Sequence, residues 1–274
     1  MIDAVLATRH GKLPLVAPAL ATVGYAVRAV EVDTDALGTF SGEVPRPGPP
    51  RDVAVAKARL GMAAAGVAVG LASEGSVGPS PLLPLATADV ELVVLVDDAR
   101  GLVVVGRHVV HDLRLVGADV APGEPLDDLA RRAGLPDHRV IVRPALGPPD
   151  PVVKDVADVA ALSAAVARCA AAPPDRRARV ETDLRADRCP SRRLAIAAAA
   201  ADLAARLAAT CPACGSPGWG VEGSVPGRPC AGCGAPTSAA RADLEACVVC
   251  PERRERPRVD AGPVDPARCD RCNP

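Results

Sequence analysis

Eight of the ten cysteines fall into four CxxC pairs: Cys211/Cys214, Cys230/Cys233, Cys247/Cys250 and Cys269/Cys272. Two residues between thiols let both reach one tetrahedral ion at about 2.3 Å. Pairs one and two are separated by 15 residues and pairs three and four by 18, both within the spacing of a zinc ribbon. The reading is two structural Zn²⁺ ions, each in a four-cysteine site. Sequential pairing, one with two and three with four, is the expectation, with interleaved pairs as the alternative. Gly215 and Gly234 follow the second cysteine of their pairs and suit a tight turn that aims amide protons at sulfur. Cys169 in an Ala-rich helix and Cys189 before Pro190 read as small buried hydrophobes.

A second kind of chemistry is offered by three polar loops, Thr8–Lys12, Asp33–Glu43 and Ser73–Ser76. Two of them directly follow predicted strands, where α/β sheets place their ligand crevices. Lys12 is a point charge suited to phosphate. Asp33, Asp35, Glu43 and Glu74 are the carboxylates for a Mg²⁺ ion, which prefers carboxylates plus water. Lys57 lies on the helix after the second loop. Arg185, Arg192 and Arg193 stand in the charged run Glu181–Arg193 before a helix N-terminus, able to meet an anion or to pair with Glu181, Asp183 and Asp187. Each loop taken alone is also consistent with ordinary turn chemistry.

Composition narrows the partners. Net charge is −1, so no global field draws the chain to nucleic acid or an anionic membrane. From Cys211 onward, arginines and carboxylates balance and Trp219 is the one stacking surface, which argues against nucleic acid. Arginine outnumbers lysine 29 to three, with Lys12, Lys57 and Lys154 the only lysines. Where Arg is the default cation, a lysine marks a place where Arg would not serve. No stretch reads as a secretory signal or a membrane span, so the expectation is a cytoplasmic protein with reduced thiols.

The elements that must position these residues alternate. Strands are predicted at 2–7, 25–32, 67–72, 90–96, 102–105, 140–142 and 180–183. Helices are predicted at 13–23, 51–65, 126–133, 155–171 and 191–209, the last capped by Ser191. That order implies an α/β domain over residues 1–208, with a mixed sheet and flanking helices. Residues 209–274 form a small double zinc ribbon, whose folding energy comes from metal.

Thr-Arg-His-Gly-Lys, Asp-Thr-Asp with Gly-Thr-Phe-Ser-Gly-Glu, Ala-Ser-Glu-Gly-Ser-Val-Gly-Pro, Glu-Thr-Asp-Leu-Arg-Ala and the terminal Cys-Asp-Arg-Cys-Asn-Pro together resemble a bacterial domain family of unknown function with a C-terminal double CxxC region. The resemblance spans nearly the whole chain and brings no activity with it. Asp187 and Cys189 depart from the family's Arg-Ala-His-x-Asn-Pro. Thr8-x-His10-x-Lys12 is also similar to the Thr-x-Asn-x-Lys phosphate loop of inosine-triphosphate pyrophosphatases, with His10 in place of Asn. That similarity implies phosphate binding by Lys12, with Thr8 and His10 beside it. It also implies that Glu74 holds Mg²⁺ or orients water.

Two functions follow as expectations. One is a Mg²⁺-dependent hydrolase of nucleotides or other phosphorylated small molecules, with Glu74 and Lys12 catalytic. The other is a non-enzymatic module whose ribbons dock a protein partner.

Overall fold

The computed structural model describes residues 1–38, 44–80, 86–171, 173–259 and 261–274. Strand β1 (Ile2–Ala7), helix α1 (Leu13–Ala21), strand β2 (Tyr25–Val30), helix α2 (Pro50–Ala65) and strand β3 (Val69–Pro79) come first. A long hairpin follows, β4 (Thr87–Asp97) and β5 (Leu102–Val110). These strands make one mixed sheet in the order β2-β1-β3-β4-β5. The first three are parallel and the last two antiparallel. The expected mixed α/β architecture is present.

Alternation decides which side chain faces which helix. Leu71, Val93, Leu95 and Val104 face one core, together with Val16 and Leu20 of α1. Ala72, Val94 and Val96 face the other, with Ala54, Ala58 and Met62 of α2. The first face is closed by α5 (Pro190–Ala208), through Ile196, Ala199 and Leu203. Cys189, not Ser191, is its N-cap residue, and no side chain caps it. Gly106 permits the close approach of α5 to β5: a Cβ there would lie 2.2 Å from the Ala199 carbonyl oxygen. Asp202 of α5 accepts from the Arg107 amide of β5 at 2.8 Å, and Arg206 donates to the Val105 carbonyl at 3.2 Å. The α5 side chains thus occupy polar groups of an edge strand that would otherwise invite another strand.

Between β5 and α5 the chain builds a second sheet. Strands β6 (Gly117–Val120), β7 (Val140–Pro144), β8 (Val153–Val156) and β9 (Ala178–Thr182) lie in the order β6-β9-β7-β8, all antiparallel. Helices α3 (Asp127–Ala133) and α4 (Val159–Cys169) cover it, with Leu129, Leu162 and Val166 in its own core. Cys169 is buried there, as expected.

The ribbon region carries β10 (Gly220–Pro226), β11 (Ala240–Ala246) and β12 (Arg253–Pro257), an antiparallel three-stranded sheet in chain order. Among the described residues, no helix is long and apolar enough to cross a membrane.

Candidate functional site

The parallel strands give the first site its place. The β1–α1–β2 connection lies on one face of the sheet and α2, between β2 and β3, on the other. The strand order therefore reverses at β1, and a crevice opens beyond the carboxyl end of β1, against the middle of β3. A cavity of about 130 Å³ occupies that position. Thr8, His10, Lys12, Asp35, Lys57, Glu74 and Arg185, seven of the candidates read from sequence, all line it. Asp33 stands outside it and pairs with Arg9 at 3.1 Å. Glu43 lies outside the described residues.

Six cations line the cavity (Arg9, Lys12, Lys57, Lys154, Arg185 and Arg192) against two carboxylates, Asp35 and Glu74. In a chain of net charge −1, that is a strong local excess of positive charge. Lys12 reaches across from the first loop and donates to Ser73 Oγ at 2.8 Å. Burial, and then the neighbouring Arg192 guanidinium, push its pKa down to about 8. Burial also lowers the pKa of His10, against the pull of Asp187. Asp187 Oδ1 lies 3.5 Å from His10 Nδ1, and Asp35 Oδ1 lies 3.9 Å from Nε2. A neutral His10 with its Nδ1 proton toward Asp187 keeps Nε2 to accept from water or ligand.

One expectation for this site is corrected. Ser73–Ser76 is not a loop: β3 runs through it, paired with β4 as far as Pro79. Glu74 is therefore a strand residue, 5% exposed, held by Lys57 at 2.7 Å and Arg46 at 2.9 Å. Its charge is already met by two cations. Among the described residues, the only groups of three or more metal-ligating side chains close enough to share an ion are cysteines. The described carboxylates gather no comparable cage.

Lys154, Arg9 and Ser73 were not singled out as site residues, whereas Arg192 was read as a possible anion contact and does line the cavity. Lys154 is delivered by a β-bulge. Val140 pairs with Val156 but Val142 pairs with Val153, so β8 carries an extra residue. Asp155 beside it sits at φ 63°, held by Arg185 at 3.2 Å and by Arg188. Bulges re-aim side chains next to functional sites in this way. The signal available in sequence was rarity: all three lysines of the chain line one cavity. Arg185 does both things foreseen for it, lining the cavity while pairing with Asp183 at 2.5 Å.

In the cavity wall, Arg192 is fully buried against Glu91 and Asp89. Its Nε donates to Glu91 Oε1 at 2.6 Å, and it also donates to the Leu184 carbonyl. Gly75 leaves room for the pair, since a Cβ there would lie 2.7 Å from Glu91 Oε1. Two carboxylates share one guanidinium. Burial, then the Glu91 charge, raise the Asp89 pKa to about 7, against the pull of Arg192. An unfolded Asp loses its proton near 4. Between those values the folded state holds a proton that the unfolded state lacks, so Asp89 costs stability as pH rises through about 7. Asp89→Asn, which cannot ionise, is expected to raise the melting temperature relative to wild type more at pH 8 than at pH 5. An equal difference at both pH values would refute that assignment.

The cysteines form two groups, Cys211/Cys214/Cys247/Cys250 and Cys230/Cys233/Cys269/Cys272. Pair one joins pair three, and pair two joins pair four. The sequential expectation was wrong and the interleaved alternative is what the fold builds. The cause is the antiparallel β10–β11 pairing, which sets Gly220 opposite Ala246 and so brings Cys211/Cys214 beside Cys247/Cys250. Within each group all four sulfurs lie within 4.8 Å of one another. Cross-pair Sγ–Sγ distances are 3.7 Å in the first group and 3.8 Å in the second. A tetrahedral ion with sulfurs at 2.3 Å sets them about 3.8 Å apart, whereas a disulfide needs about 2.05 Å. The groups therefore fit a metal and not a cross-link. Gly215 and Gly234 take φ of 71° and 70°, as the turn requires. In these two turns the amides that reach sulfur are those of Ala213 and Gly232, at 3.4 and 3.3 Å, and in the third pair those of Val249 and Cys250 reach Cys247 Sγ at 3.3 and 3.4 Å. Gly215 and Gly234 instead donate to the Cys211 and Cys230 carbonyls.

A model of the family described as Domain of unknown function (DUF6671) matches residues 57–274. The chain belongs to that family. The DUF6671 match covers both cysteine groups, Lys57, Glu74, Lys154, Arg185 and Arg192, and it begins after the Thr8–Lys12 loop. No curated protein matches the chain.

Proposed function

We propose that the cavity beyond the end of β1 and beside β3 binds the phosphoryl group of a small phosphorylated molecule and hydrolyses it, while two structural Zn²⁺ ions hold the ribbon region. The excess of cations in a small cavity at the strand-order switch point carries this reading. Its size suits a phosphoryl group, with the rest of the substrate outside, since whole small-molecule pockets run to about 300–1,000 Å³. Lys12, Lys154 and Arg185 would meet the phosphate oxygens, and His10 would hold the attacking water. Fixed cations aimed at developing negative charge are the means by which phosphoryl-transfer sites work. Glu74 would position Lys57 and Arg46. A Mg²⁺ ion arriving with the substrate would find Asp35 as its carboxylate in the cavity.

Zinc is the ion that four reduced thiolates in this geometry select. The docking-module reading has less support: Val248 packs against the chain's own core, leaving Val249 as the exposed apolar residue of that turn.

The test is phosphate release from a panel of phosphate esters and nucleotides, with and without Mg²⁺, for wild type and Lys12→Ala. Loss of a single charge-stabilising donor is expected to lower kcat by about 10²–10³-fold. Absence of release from every compound, by folded and zinc-loaded protein, would overturn the hydrolase reading.

A further inference from the structure

Arginine is the better phosphate clamp, since its planar fork matches two phosphate oxygens at once. A chain with 29 arginines and three lysines would be expected to build a phosphate cradle from arginine. It places all three lysines there, beside Arg9, Arg185 and Arg192. An amine can do one thing a guanidinium cannot in a protein: release its proton.

The three lysines are not equivalent. Lys57 is committed to Glu74, at 2.7 Å. Lys154 arrives on the bulge of β8. Lys12 hangs from the loop after β1, with Ser73 Oγ accepting from it at 2.8 Å. Neutral Ser73 orients the ammonium without holding its proton in place as a carboxylate would. Arg192, buried in the wall of the same cavity, repels the charged form. This is the environment that makes a lysine exchange protons near neutral pH.

We infer that Lys12 is the proton donor to the leaving oxygen, and that the substrate is therefore a phosphate ester of an alcohol. The inference rests on the hydrolase reading above. Water oxygen bonds to phosphorus as the ester P–O bond breaks. The departing oxygen takes a proton from Lys12 Nζ and leaves as the free alcohol. Both protons of the attacking water stay on the phosphate product, which returns one to the Lys12 amine, so the site is restored with no other reactant. An alkoxide is too basic to leave without a proton. A phosphate or a nitrophenolate leaves readily without one, so only an alcohol ester makes such a donor necessary.

The test compares wild type with Lys12→Arg on glycerol phosphate and on 4-nitrophenyl phosphate. Binding of inorganic phosphate is measured alongside by calorimetry. Arg keeps the positive charge and cannot donate. Phosphate binding is expected to survive, while kcat on the alkyl ester falls about 10²-fold or more and kcat on the nitrophenyl ester falls less than about tenfold. Wild-type turnover of the alkyl ester should also decline above pH 8, a readout that needs no variant to fold. Equal loss on both esters would reduce Lys12 to a fixed charge and overturn the proposal, as would unchanged kcat on both. Wild-type turnover of anhydrides alone would overturn the substrate class while sparing the hydrolase reading. No turnover of anything would instead fail the reading beneath it.

Discussion

Chelating the metal is expected to unfold residues 211–274 and to release two Zn²⁺ per chain. The region has little else to hold it. β12 is exposed along its whole length, and most of β10 is exposed as well. Its cross-strand ion pairs, such as Arg253–Glu222 and Arg241–Glu255, are exposed and contribute little. A structural zinc site supplies about 10–16 kcal/mol of apparent binding energy, which here is folding energy. The two sites should differ in reach. Cys211 follows α5 almost directly, and Val248, inside the third pair, packs against the core beneath α5 and β5. The Gly218 amide donates to the Arg206 and Ala209 carbonyls at 3.0 Å, tying the same turn to the end of α5. The second group sits at the far end, joined to the rest through β10–β12 and the Cys230–Val264 bridge. Cys214→Ser should therefore lower the melting temperature of the large α/β part as well as losing one metal. Cys233→Ser should lose one metal and leave that transition in place. Elemental analysis with calorimetry reads both, and identical melting of the two variants would contradict this division.

Arg192→Met is the second large effect. Arg192, Glu91 and Asp89 are all fully buried. A methionine fills much of the volume but leaves two carboxylates with no cation. Breaking a buried ion pair from one side costs about 3–5 kcal/mol, enough to unfold many domains. Glu91→Gln together with Arg192→Met removes one of the two stranded carboxylates and leaves buried Asp89 free to hold a proton, so it should recover much of the loss, read by urea denaturation. A single variant as stable as wild type would show that the cluster holds nothing in place. The same substitution should raise the Lys12 pKa, because Arg192 is the charge that pushes it down most.

Much of this was legible in residues. Leu13–Ala21 formed a helix despite Pro14, which falls in the first turn where its missing amide is not needed. The β4–β5 hairpin and α2 followed their hydrophobic periods. The CxxC spacing named all eight ligands, because ligation within a pair is local. Their partnering was not local. It depends on the register of β10 against β11, and two sequential ribbons satisfy the spacing equally well. Ser73–Ser76 read as a loop because polar residues interrupt an apolar run. Their side chains instead face functional groups on both sides of the sheet, Glu74 toward Lys57 and Ser73 toward Lys12. Asp89 and Glu91 bracketed a strand that looked apolar from Val90 onward, and only the α5 crossing supplies the Arg192 they require. The second sheet was hidden for a similar reason, since β6 and β8 have four residues each and too little period to register.

The interleaved cysteines also shape how metal can go in. Cys230 and Cys233 are in the chain before Cys247 and Cys250, so the first thiols able to share an ion with Cys211/Cys214 are the wrong ones. Closing the shorter loop is also favoured, by roughly 0.6 kcal/mol for each halving of length. A growing or refolding chain in abundant zinc will therefore tend to load pairs one and two together. It must then exchange ligands once β11 lies down beside β10. Zinc supplied slowly, or from a weak chelator that permits exchange, should give more correctly assembled ribbon than zinc supplied in excess.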